Sequence, residues 1–219
     1  MYQKFKFIHI FGTDGSGKTT LSYILFKSNV IFAKNGNVII RKRRRSYFND
    51  LLAFLFERLS PARIQKGGDG RIIKIHGAHK LWPLWIILEV LGMRLWYILR
   101  VMPYKRKCVC IFDRFIIDMI VSDTYMLGIE YFKKLLCLYT KTFSDLLKKS
   151  IFIHVDAPIY IIMERRKDET DPAVYIYTQK FLYNFLSKVF NAIKLDTSIT
   201  SISGSFKIAV SILNELIRD

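Results

Sequence analysis

The 219-residue sequence predicts an α/β chain, with a parallel sheet covered by helices on both faces. Three observations predict it. Short apolar runs alternate with longer segments of helical spacing along the chain. The first run leads directly into a glycine-rich turn and then a helix. The chain is 51% hydrophobic, without repeats or low-complexity segments, so one domain spanning 1–219 can bury a real core.

The elements follow in order. Lys4 to Phe11 alternates and then turns apolar, as a strand entering a core does, and Thr20 to Phe26 continues a helix. Asn37 to Arg41 reads as a short buried strand. Phe48 to Leu59 has helical spacing and stops before Pro61; Gln65 to Gly70 reads as a loop. Leu81 to Val101 is a long apolar helix, and Cys108 to Phe112 a buried strand ending at Asp113-Arg114. Phe115 to Leu127 and Tyr131 to Lys148 read as helices, and Ile151 to Val155 as a strand. Pro158 opens a helix to Arg166, a position where proline is tolerated. Val174 to Phe190 is a helix, Ala192 to Leu195 a strand, and Ser205 to Arg218 a closing helix with Ser203 as N-cap. Ligands of such sheets sit beyond the carboxyl ends of the strands. That rule points at Gly12 to Thr19, Asp113-Arg114, Asp156 and Asp196-Thr197.

Gly12-Thr13-Asp14-Gly15-Ser16-Gly17-Lys18-Thr19 fills every fixed position of G-x-x-x-x-G-K-[ST], the phosphate-binding loop. It makes the expected architecture a three-layer P-loop NTPase fold. The glycines let backbone N–H groups turn toward an anion, and the helix N-terminus adds partial positive charge. Lys18 would reach the β- and γ-phosphates of ATP and the Thr19 hydroxyl would ligate Mg²⁺, with Thr20 continuing the loop into the helix. Asp113, just past a strand, stands where a second carboxylate for Mg²⁺ belongs, and Arg114 can clamp a phosphate in bidentate fashion. Glu164-Arg165-Arg166-Lys167-Asp168-Glu169 follows a helix; arginines there can close as a lid, near 164–172, over the nucleotide.

The net charge of +17 predicts attraction to something anionic: nucleotides, nucleic acid or a membrane surface. Arg41 to Arg45 are consecutive cations that cannot all face one ligand. They read either as a solvated loop or as a grip, beginning with Arg41, on a highly charged acceptor. Leu81 to Val101 is long enough to span a bilayer, yet Pro83, Glu89, Gly92 and Arg94 interrupt it. A core helix is the expected reading. A homodimer interface and contact with an anionic membrane surface are the other two, and membrane or nucleic-acid contact is not favoured. The cysteines, Cys108, Cys110 and Cys137, have no metal-ligand spacing, and their odd, low count suits a reducing cytosol. With no signal peptide in the first residues, a cytoplasmic location is expected. His9 and His154 lie in apolar strands and read as hydrogen-bonded core residues; His76 and His79 form no metal pattern.

Three motifs together resemble the thymidylate kinase-like nucleoside and nucleotide kinases. They are Gly12 to Thr20 with Asp14 inside the loop, Asp113-Arg114-Phe115 at a strand end, and the arginines near Arg165-Arg166. The resemblance implies a five-stranded parallel sheet, ATP and Mg²⁺, and transfer of the γ-phosphate to a monophosphate. It also implies that Asp14 approaches the acceptor, that Arg94 holds it, and that adenine lies along Asp196-Thr197. The chain departs from the family at Phe11, where a Glu is usual, and at Arg41 to Arg45, where an Arg-Glu-Pro-Gly-Gly segment is usual. It departs again at Asp118, in place of a Ser, and at Ser122-Asp123, in place of Tyr-Gln. The expected function is phosphoryl transfer from ATP to a phosphorylated small molecule, most simply a nucleoside monophosphate. The alternatives are a kinase of the same fold with a sugar or lipid-linked acceptor, and a P-loop nucleotide switch that binds nucleic acid or membrane.

Overall fold

The computed structural model describes residues 7–27, 37–42, 63–66, 72–75, 82–104, 108–167, 173–199 and 204–211. Strands β1 (Phe7–Phe11), β2 (Asn37–Lys42), β5 (Cys108–Asp113), β6 (Ser150–Asp156) and β7 (Ile193–Asp196) form one sheet in the order β2-β5-β1-β6-β7. Every pairing in it is parallel. Strands β3 (Arg63–Lys66) and β4 (Ile72–Ile75) form a separate antiparallel pair.

The sheet is two-faced in composition because side chains alternate along a strand. Phe7 and Phe11 of β1, Cys110 and Phe112 of β5, and Phe152 of β6 enter one core. That core is closed by α2 (Trp82–Arg100), α3 (Ile116–Leu127), α4 (Phe132–Thr142) and α7 (Ala173–Val189). Ile8, Ile10, Val109, Ile111, Ile151, Ile153 and Val155 point the other way. They meet Leu21 and Leu25 of α1 (Lys18–Lys27) and Ala209 of the helix at 204–211. One face is aromatic and the other aliphatic, and helices cover both.

His9 and His154 belong to the aromatic face. His9 lies against Phe112 and Phe152 at ring separations of 4.9 and 5.1 Å. His154 stacks on Phe11 at 5.1 Å with an interplanar angle of 4°. Both are core residues, but among the described residues both nitrogens of His154 and Nε2 of His9 lack the expected hydrogen-bond partners. Burial accordingly lowers the His9 imidazole to about 3 and that of His154 to about 4.

Several elements differ from the sequence reading. The helix expected over Tyr131 to Lys148 is two pieces, α4 and a short α5 (Ser144–Leu147), parted at Phe143. Phe143 is fully buried against Tyr97 and Phe115, so tertiary packing of one ring breaks a pattern that local spacing continues. The loop expected from Gln65 begins within β3, because Gln65 and Lys66 pair with Ile73 and Ile72. The helix expected over Phe48 to Leu59 and the cations Arg43 to Arg45 lie outside the described residues, as do His76 and His79.

Helix α2 is apolar nearly all round, interrupted by Glu89 and Arg94, as expected. Ile86, Val90, Met93 and Tyr97 are buried, while Leu84, Ile87, Leu91, Leu95 and Leu99 form an exposed stripe at helical spacing. Among the described residues no helix is long and apolar enough to cross a membrane. Cys110 is buried and Cys137 exposed, and neither forms a disulfide.

Candidate functional site

The site begins where β1 stops. Gly12 has φ +152°, and a β-carbon there would collide with the Val155 carbonyl oxygen on β6. No other residue type fits this approach of two strands. Gly15 and Gly17 also have positive φ, of 88° and 94°. The loop closes with Ser16 N–H donating to the Thr13 carbonyl at 3.0 Å, and α1 starts with Leu21 N–H on the Gly17 carbonyl at 3.0 Å. Lys18, the first residue of α1, is buried, while Thr19 and Thr20 are exposed.

Asp14 is the hub. Its Oδ1 accepts from Lys18 Nζ at 2.7 Å and from Arg114 Nη2 at 2.7 Å. Its Oδ2 accepts from Gln179 Nε2 at 3.3 Å, and its backbone N–H donates to Gln179 Oε1 at 3.2 Å. Lys18 Nζ also donates to the Thr13 carbonyl at 3.2 Å. Burial alone would push the Asp14 carboxyl up, but the charges of Lys18 and Arg114 outweigh it and hold the group well below the ordinary carboxylate range.

The end of β5 meets this hub. Arg114 sits at φ +62°, an uncommon conformation for a non-glycine residue, and turns the chain sharply into Phe115 and α3. Asp113 is buried, and its Oδ1 has no hydrogen-bond partner among the described residues. In the first turn of α3, the buried Asp118 accepts a hydrogen bond from Tyr183 Oη at 2.7 Å. Burial raises the Asp118 carboxyl, against the opposing pull of Lys18 and Arg114. Burial and the neighbouring Asp118 raise the Tyr183 phenol well above its usual value.

On the other side of the loop lies the end of α6 (Ile159–Arg165). Arg165 Nη1 donates to the Gly15 carbonyl at 3.3 Å and to Thr197 Oγ1 at 3.0 Å, and Nη2 donates to the Thr197 carbonyl at 3.1 Å. The methylenes of Arg166 lie over Gly15, about 3 Å from where its β-carbon would stand. Asp196 accepts from the Ser198 N–H at 2.8 Å, which shapes the turn after β7. A cavity of about 420 Å³ opens between these groups, with Gly15, Gly17, Lys18, Thr19, Arg114, Arg165 and Thr197 in its walls.

Most of the residues singled out from sequence therefore come together: Gly12 to Thr20, Asp113, Arg114, Asp118, Arg165, Arg166 and Thr197. Arg94 does not line the cavity. It makes a two-pronged pair with Asp145, at 2.7 and 3.2 Å, and its guanidinium lies over Tyr97 and Phe143. Arg41 is opposite Phe112, and Lys42 opposite Asp113, in the β2–β5 pairing, so the Arg41 backbone ends beside the site. Gln179, Tyr183 and Ser205, the last in the cavity wall, carry no motif in the sequence. Gln179 and Tyr183 sit in register with the buried Ile176, Leu182 and Leu186 of α7, and a polar residue on the buried stripe of a helix was the available signal. Among the described residues no cluster of three or more His, Cys, Asp or Glu could hold a metal ion by itself.

The parallel sheet, its two helical layers and the glycine loop at the end of β1 define a three-layer α/β fold with a candidate anion-binding loop. Among solved structures the chain is similar to thymidylate kinase from Ehrlichia chaffeensis, with a TM-score of 0.56 and 18% identity, over 96% of this chain and 98% of that one. At this identity the likeness shows the fold. No protein-family model matches the chain, and no curated protein matches it.

Proposed function

We propose that this chain is an ATP-dependent kinase whose acceptor is a phosphorylated small molecule, most simply a nucleoside monophosphate. The observation that carries the reading is the Asp14 hub, which joins the phosphate-loop Lys18 to Arg114 at the end of β5 through one carboxylate. Donor-side and acceptor-side cations thus stand within one hydrogen-bonded group of each other, as transfer between two phosphates requires.

The residues present fit ATP with Mg²⁺. The loop glycines take the positive φ values that an anion cradle needs, and the buried Asp113 Oδ1 is an acceptor without a donor among the described residues. Asp113 and Thr19 would hold Mg²⁺, directly or through water. When bound, the ion neutralises charge on the transferring group. Lys18 leaves Asp14 for the phosphates. Arg114 orients the acceptor phosphate, whose oxygen attacks the γ-phosphorus as the bond to the departing ADP breaks. Arg165 and Arg166, at the start of a lid near 164–172, spread the developing charge. Asp196-Thr197 borders the nucleotide; Asp14, Arg41 and Asp118 are assigned to the acceptor side, and Arg94, held by Asp145, is not.

One observation favours a second reading, a kinase of this fold with another acceptor. Behind Arg114 lies a buried carboxyl, Asp118, tied to Tyr183, and a carboxyl beside the acceptor-side arginine suits an acceptor rich in hydrogen-bond donors, such as a sugar phosphate. ADP release and ³¹P NMR, run with nucleoside monophosphates and sugar phosphates in parallel, decide between the two. Lys18→Ala is expected to abolish transfer without changing the circular dichroism spectrum. Full activity in that variant would overturn the mechanism.

A further inference from the structure

Two of the three contacts of Arg165 fall on one residue. Thr197 offers its hydroxyl oxygen to Nη1 and its carbonyl to Nη2, at 3.0 and 3.1 Å, so it grips the end of the guanidinium with two acceptors. Thr197 is itself fixed. Its N–H donates to the Asp156 carbonyl at the end of β6, at 2.9 Å, and its Oγ1 lies 2.9 Å from the Ser16 carbonyl in the phosphate loop. A hydroxyl has one proton to give and lone pairs to spare. Donating to Ser16 therefore leaves the hydroxyl oxygen free to accept from Arg165. The turn after β7, the phosphate loop and the last residue of α6 are locked together through this one side chain.

The geometry points to Thr197 as a positioning residue that presets Arg165 as a fixed cation at the rim of the phosphate cavity. The inference rests on the kinase reading for its ligand, a nucleoside triphosphate. An arginine has five N–H groups, and the contacts with Thr197 and Gly15 use three. Nε–H and one Nη2–H fall outside these contacts, and that edge of the guanidinium matches two phosphate oxygens. A cation already held in place loses less freedom when an anion binds than one on a swinging side chain. Thr197 thus contributes to affinity without needing to touch the nucleotide.

Thr197→Val keeps the shape and the carbonyl and removes the hydroxyl; Thr197→Ser keeps the hydroxyl. Calorimetric titration with the β,γ-imido analogue of ATP and Mg²⁺ is expected to show about tenfold weaker binding for the valine variant and near-complete recovery for the serine variant. In an Arg165→Ala background, Thr197→Val should change nothing further. Equal binding by wild type and Thr197→Val, or the same tenfold loss in the Arg165→Ala background, overturns the inference. Thr197→Ala takes the place of the valine variant if the latter does not fold. A second arm needs no nucleotide: rotation of the Arg165 guanidinium, followed by ¹⁵N NMR, should be slow in wild type and Thr197→Ser and fast in Thr197→Val. Rotation indifferent to the hydroxyl sinks the positioning role. Slow rotation in a protein that binds no triphosphate sinks the kinase reading instead.

Discussion

The carboxylate of Asp14 and the ammonium of Lys18 stand 2.7 Å apart, one helical turn from each other in sequence and almost wholly sheltered from water. The loop's own acid therefore occupies the cation that phosphate needs. Arg114 shares the same oxygen, so one carboxylate restrains two cations. An incoming anion must compete with Asp14 before it can use either.

Asp14→Asn removes that competition. Binding of inorganic triphosphate, measured by calorimetry at fixed ionic strength, is expected to tighten by about tenfold, the scale of one charge-assisted hydrogen bond. Weaker binding would mean that the carboxylate's main service is to aim Lys18 and Arg114.

His154 sets an acid limit on stability. Its folded-state value, lowered by burial to about 4, lies below the ordinary 6.5, so the unfolded chain takes up the proton first. The sign follows: stability is full above pH 6.5 and declines as the pH falls toward 4, by roughly 3 kcal/mol across that window for this one group. His154→Phe, which keeps a ring against Phe11, should flatten the urea-midpoint profile over that range. An unchanged slope would show that His154 is charged in the fold.

Asp118 acts in the opposite sense. Burial raises its carboxyl above the ordinary value, so the folded state binds this proton more tightly than the unfolded chain does. Its destabilising effect is present at neutral pH and fades as the pH falls below the folded value. Asp118→Asn keeps an acceptor for Tyr183 and removes the charge. It should raise the melting temperature at pH 7 by about 2–4 °C, the shift that one kcal/mol gives at this chain length. The gain should shrink on acidification. A lower melting temperature at pH 7 would contradict this reading.

Gly12 and Gly17 are not equivalent. A β-carbon at Gly12 meets the Val155 carbonyl, whereas at Gly17 the nearest atom is the Thr197 methyl at 3.8 Å. Gly12→Ala should therefore cost about 3 kcal/mol or more in urea unfolding, from overpacking between two strands. Gly17→Ala should cost about 1–2 kcal/mol, from backbone conformation alone. Equal costs would remove the strand clash as the cause.

The loop, the strand ends and the lid arginines were legible because each is fixed by local chemistry: a glycine pattern, an apolar run, a charge cluster after a helix. What stayed hidden depends on partners far along the chain. Arg94 reads as free for a ligand until Asp145, 51 positions away, is seen holding it. Helical spacing continues through Phe143, and only the depth of its pocket explains the break. Gln179 and Tyr183 were absorbed into an apolar stripe, since periodicity records which face is buried and not what that face touches. At Arg41 the strand was legible, while the purpose of the cations that follow it was not.

The exposed leucine and isoleucine stripe of α2 has a consequence for how the protein behaves in solution. A chain carrying +17 is kept apart from its copies by long-range repulsion, and the stripe can act only at contact. Salt changes the balance between the two, because the range of repulsion shrinks from about 30 Å at 0.01 M to about 3 Å at 1 M while apolar attraction persists. Charge thus opposes contact between copies of the protein, and the stripe favours it. The protein's tendency to self-associate should rise with ionic strength, the reverse of what contacts between opposite charges would give.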